Sequence, residues 1–167
     1  MQRRTVLAGI GTVTLGGLAG CVGGGSGGGL TLETDSPTAV VESWHRLNYT
    51  DPETERERAG EVFHNDSHHL DTIESGEGQN YADNELDRIE TEVLTRDLGM
   101  DALYSGAGGY HDNETLRRMA TEEQTARVQA RIEFTTEGGQ TGTPTWNHLV
   151  VTENGEWQIL LMTLPQS

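Results

Sequence analysis

From residue 36 onward the chain switches between two hydrophobic periods, and each predicts an element. In SPTAVVESWHRLNY, Val40, Val41, Trp44 and Leu47 recur at three- and four-residue spacing, with Tyr49 extending the stripe, which predicts an amphipathic helix. Ser36 suits its N-cap and Pro37 its first helical position. DPETERERAGEVF predicts a second helix: its first turn is acidic, as the helix dipole prefers, and Ala59, Val62 and Phe63 supply a narrow apolar stripe. From His64 to Asp83 the chain is polar, contains glycine and reads as loop. Residues 86–98 fit both periods. Leu86, Ile89 and Val93 suit a helix, while Ile89, Thr91, Val93 and Thr95 suit a strand, and the β-branched content favours the strand. Met100 to His111 reads as irregular, followed by a short helix that starts at Asp112 or Asn113 and ends near Ala120.

The last third alternates. Val128, Ala130, Ile132 and Phe134 oppose Arg127, Gln129, Arg131 and Glu133, the pattern of a half-buried strand. TWNHLVVTENGEWQILLMTL predicts a hairpin turning on Asn154-Gly155. A two-residue loop there pairs Thr152 with Trp157, Val150 with Ile159, His148 with Leu161 and Trp146 with Thr163, all on one face. Leu149, Val151, Leu160 and Met162 make the other face apolar too, so both faces are expected to be covered. Helices first and sheet last predict an α+β fold, with N-terminal helices packed on a curved C-terminal antiparallel sheet.

Charge changes the picture more than length does. The 167 residues carry 27 Asp and Glu against 11 basic residues, a formal charge of −16, and all 11 are Arg. Such a chain repels phosphate backbones, so nucleic acid is excluded as a partner. Self-repulsion of this size also opposes a compact state in dilute buffer. It fades in molar salt, where the Debye length is about 3 Å. Acidic and free of Lys, the composition points to a salt-loving organism.

The first 35 residues follow neither period. MQRRTVLAGIGTVTLGGLAGC has paired Arg3 and Arg4, a mild apolar stretch too short and too glycine-rich to span a bilayer, and small residues before Cys21. Residues 1–20 resemble a twin-arginine export signal. Leu18-Ala19-Gly20-Cys21 resembles the lipobox of bacterial and archaeal lipoproteins, and the whole is similar to an exported lipoprotein of a halophilic archaeon. That resemblance implies cleavage before Cys21 and a two-chain lipid on its thiol, the minimum for stable anchoring. The membrane is then a partner through Cys21, and the domain lies on the extracytoplasmic face. As the only cysteine, Cys21 can form no intrachain disulfide. Residues 21–35 read as the lipid-bearing Cys and a flexible tether, and 36–165 as one α+β domain.

Helix order and the final HLVVTENGEWQI hairpin resemble the nuclear-transport-factor-2-like, or SnoaL-like, superfamily. The resemblance implies a conical pocket between helix and sheet, used for binding or for catalysis. Pocket candidates are Trp44, Trp146, His148 and Leu161. His148 is the candidate base of an enzymatic reading (an isomerase, cyclase or hydrolase). Asp101, Tyr104, Tyr110 and His111 are candidates for the pocket mouth. HNDSHHLD offers His64 and His68 at helical spacing as metal candidates, with Asp66 or Asp71 as a third ligand, although no established metal motif surrounds them. No serine elbow, phosphate loop or free thiol is present, and no cofactor is assigned. Asn48, Asn65 and Asn113 head glycosylation sequons. The expected function is a membrane-anchored, non-catalytic module for a small-molecule or protein ligand, with the histidine-base enzyme as the alternative.

Overall fold

Leu30 to Thr163 are described by the computed structural model, and the export signal, Cys21 and the chain to residue 29 lie outside the described residues. Helix α1 (Pro37–Asn48) starts as its sequence dictates: Ser36 Oγ accepts the Ala39 N–H at 3.2 Å, and Pro37 occupies the first turn. Its stripe of Val40, Val41, Trp44 and Leu47 is buried. Asp51 caps α2 (Pro52–Arg58), and a tighter turn over Ala59–Glu61 delivers Val62 and Phe63 to the core. The expected loop after His64 contains a helix, α3 (His68–Glu74). Only Leu70 and Ile73 anchor it, too few apolar residues for a period to show in the sequence.

The ambiguous stretch is a strand, β1 (Asn84–Arg96). The stretch expected to be irregular forms α4 (Met100–Ala107), held by buried Leu103 and Ala107 one turn apart. Gly106, Gly108 and Gly109 mask that short period. Helix α5 (Asn113–Glu122) begins at Asp112, whose carboxylate accepts the N–H groups of Glu114 and Thr115. Strands β2 (Thr125–Thr136), β3 (Thr141–Gly142), β4 (Thr145–Glu153) and β5 (Glu156–Thr163) complete the chain. The fold is α+β. Its antiparallel sheet runs β1-β2-β4-β5, with β3 paired to β2.

One sheet face packs against α1 and α3, with α2 lying on those two helices, and Val40, Trp44, Phe63, Val128, Ile132 and Ile159 form the larger core. The other packs against α4 and α5 through Leu103, Leu116, Met119, Leu149, Val151 and Leu160. Both faces of the final hairpin are therefore covered. Its turn has Asn154 at φ 54 and Gly155 at φ 90, the left-handed pair that a two-residue hairpin loop requires.

The register agrees near the turn and departs beyond it. Thr152 pairs with Trp157 and Val150 with Ile159, but Leu149 then pairs with Leu161, leaving Leu160 as an extra residue. This bulge shifts β5 by one position, so His148 pairs with Met162 rather than Leu161, and Thr163 pairs with Asn147 rather than Trp146. Leu161 thus joins Leu149 on the α4–α5 face. It is not opposite His148.

The folded unit also begins earlier than residue 36. Leu30 and Leu32 pack on the larger core, Thr34 C=O accepts the Trp157 N–H at 2.8 Å, and Ser43 Oγ is bonded to both Glu33 N–H (2.7 Å) and C=O (3.0 Å). Residues 30–34 are held on the domain by these contacts.

Gly142 lies under the ring of Phe134, where an added Cβ would meet Cζ at 2.5 Å and Cε1 at 2.7 Å. Gly142→Ala is expected to cost about 1–3 kcal/mol through overpacking, read as a lower midpoint in denaturant at constant m.

Candidate functional site

A cavity of about 470 Å³ opens between α1, α3, the chain after α3 and the sheet. That is the size of small-molecule sites. Its walls are mostly aromatic and aliphatic. Tyr49 and Tyr81 stack at 5.5 Å, Phe134 lies 6.2 and 6.4 Å from them, and Trp44, Trp146 and Met162 complete the lining. Burial, then Tyr81 and Asp87, push the Tyr49 hydroxyl up to about 12, so it stays protonated.

Polar groups reach the cavity from two helices. Val41, His45 and Asn48 fall at i, i+4 and i+7 of α1, which turns His45 and Asn48 toward the same side. His45 Nε2 lies 3.2 Å from His148 Nε2, so one ring donates and the other accepts. Burial holds His45 well below its ordinary range, and the neighbouring His148 adds to this. Burial also takes His148 down to about 3, against the opposing effect of the Val128 backbone. Both rings are neutral at pH 7. From α3, His69 Nε2 accepts the Met162 N–H at 3.1 Å, and burial followed by His68 lowers His69 to about 4.

A buried carboxylate braces the mouth. Asn48 Nδ2 donates to Glu55 Oε1 at 2.5 Å and to Gln79 C=O at 2.9 Å, while Asn80 Nδ2 donates to Glu55 Oε2 at 2.5 Å and to Thr50 C=O at 3.2 Å. Glu55 thus ties α1 and α2 to residues 79–80.

Trp44 and Trp146 do line this cavity. His148 is fully buried and does not line it, reaching the lining residue His45 through Nε2, and Leu161 packs in the α4–α5 core. Asp101, Tyr104, Tyr110 and His111 do not line it, and Tyr104 and Tyr110 are exposed on and after α4. His64 precedes α3 and shares no helix face with His68, which instead stacks on Tyr110 at 4.9 Å. His64 Nδ1 accepts the Asp66 N–H at 3.1 Å, which puts the proton of the neutral ring on Nε2, where a metal would need a lone pair. Among the described residues no three His, Cys, Asp or Glu are grouped to hold a metal ion. The Asn48 sequon is closed in the folded domain, since Asn48 is buried and both Nδ2 protons are engaged, whereas Asn65 and Asn113 are exposed.

His45, His69, Tyr49, Tyr81 and Phe134 were not among the expected site residues, and Asn48 was expected as a glycosylation site rather than as part of the cavity wall. The i, i+4, i+7 run from Val41 carried the signal for His45 and Asn48. His69 carried none, because α3 itself was not legible.

No family model and no curated protein matches the chain. Among solved structures, the intermembrane space region of the chloroplast protein ARC6 is similar to it over 82% of this chain and 99% of that chain, at 10% identity and a TM-score of 0.44.

Proposed function

We propose that the chain is a lipid-anchored extracytoplasmic protein whose domain binds a small hydrophobic molecule in the α1–α3 cavity without transforming it. The observation that supports this most is the cavity itself: about 470 Å³, walled by Trp44, Tyr49, Tyr81, Phe134 and Trp146, with uncharged polar groups at one side. Cys21, its lipobox and the glycine-rich stretch after it supply the anchor in this reading. No helix among the described residues is long and apolar enough to cross a membrane.

The histidine-base enzyme is the second reading, and the buried pair is what favours it. The base would then be His45, which lines the cavity, with His148 positioning it. A general base works best with a pKa near the operating pH, and burial drives both rings far below that. Binding is the better supported of the two.

Two measurements test the proposal. Cys21→Ser is expected to move the protein from the membrane to the soluble fraction, and unchanged membrane partition would contradict the anchor. In molar salt, uncharged hydrophobes are expected to raise the Tm of this soluble variant. Thr72→Trp, which places an indole in the cavity, is expected to abolish the response; a response that survives it would place binding elsewhere.

A further inference from the structure

The hydrogen-bond inventory of the cavity wall narrows the ligand. Asn48 spends both Nδ2 protons on Glu55 and Gln79, so the group it offers the cavity is Oδ1, an acceptor. His69 Nε2 is occupied by the Met162 N–H, so the proton of the neutral ring sits on Nδ1, a donor that no acceptor among the described residues takes. Asn48 Oδ1 and His69 Nδ1 are thus an acceptor and a donor of this wall, beside a large apolar surface whose Tyr49, Tyr81, Trp44 and Trp146 carry O–H and N–H groups of their own.

Charged ends are poorly served. No Arg lines the cavity, and its histidines are held neutral, so a carboxylate or phosphate would find no cation. Glu77, the lining carboxylate, is exposed at the rim. Glu55 is withdrawn behind Asn48 with both oxygens taken, so a buried ammonium would find no free anion.

We infer that the cavity takes an uncharged hydrophobe with a single hydroxyl head, an alcohol or phenol, whose O–H donates to Asn48 Oδ1 and whose oxygen accepts from His69 Nδ1. The aromatic walls hold the body of the molecule. This rests on the binding reading above and adds to it the chemistry of the head.

Fluorescence titration of the full chain carrying Cys21→Ser, in molar salt, with four probes sharing one ring system tests it. The probes are pyrene, methoxypyrene, hydroxypyrene and pyrene carboxylate. Hydroxypyrene is expected to bind about tenfold more tightly than methoxypyrene, which accepts but cannot donate, and the carboxylate is expected to bind most weakly. In His69→Phe the advantage of hydroxypyrene over pyrene is expected to shrink, while pyrene affinity itself reports that the cavity is intact. Should that variant fail to fold, the series on the unaltered cavity decides alone. Equal binding of hydroxypyrene, methoxypyrene and pyrene would overturn the head-group assignment and leave the binding reading standing. Tightest binding of the carboxylate would overturn the assignment in the same way. Binding of none of the four would overturn both.

Discussion

Replacing Glu55 by Ala is expected to lower stability by about 2–4 kcal/mol and to weaken any ligand held in the cavity. Burial pushes the Glu55 carboxyl up, and the Asn80 and Asn48 amides pull it back, so the carboxylate is held against its desolvation by these two donors. Removing it leaves two amides in a closed setting without their acceptor, and hydrogen bonds to charged groups are the strong class. The consequence reaches the cavity because Asn48 also holds Gln79, and because the Tyr81 N–H donates to Asn48 C=O at 3.0 Å. Tyr81 then loses its fixed place against Tyr49 and Phe134. Glu55→Gln separates charge from shape. One of its terminal atoms becomes a donor facing a donor, so most of the loss should persist. Denaturant unfolding in molar salt measures the first effect, and probe affinity measures the second. Stability within about 0.5 kcal/mol of the parent would show that the brace carries little.

Acid is expected to unfold the domain earlier than its carboxylates would suggest. His45, His69 and His148 all have folded pKa values below the unfolded value of about 6.5. The unfolded chain therefore binds more protons than the folded one below that pH, and stability rises with pH there. Their contribution is fully present above about pH 6.5 and is lost as the pH falls toward about 3 for His148 and about 4 for His69. For His148 alone the loss between pH 6.5 and 4.5 is about 2 kcal/mol. Carboxylate repulsion works in the opposite sense, since acid relieves it, and molar salt screens that term to a Debye length of about 3 Å. Unfolding curves in molar salt across this range should show the decline, and His148→Met should flatten it whatever its absolute stability. A stability that is constant from pH 6.5 to 4.5 would contradict the neutral buried pair.

Local signals carried most of the architecture. Ser36-Pro37, Asp112 and Asn154-Gly155 each act through one or two backbone groups, so a cap or a turn could be read from them directly. The Leu160 bulge is different in kind. Nothing in QILLMTL marks which residue is skipped, because all the choices are apolar and both faces are covered. That single skip moved Leu161 to the far face and set His148 opposite Met162. The cavity histidines were hidden for a related reason. His45 and His69 line the cavity by virtue of contacts with β4 and β5, from far along the chain, and no spacing within α1 or α3 encodes their partners. Leu30 and Leu32 were obscured by the glycines before them, whose composition matches a tether until the first leucine.

A cavity that binds an uncharged small molecule should keep one through a gentle purification. Native mass spectrometry of the full chain carrying Cys21→Ser, purified in high salt without denaturation and transferred to volatile salt, tests it most directly. A second species is expected, heavier than the polypeptide by the mass of one small neutral molecule and absent from Thr72→Trp. The same adduct on Thr72→Trp, or a parent protein that shows only its bare mass after incubation with hydroxypyrene, would contradict it.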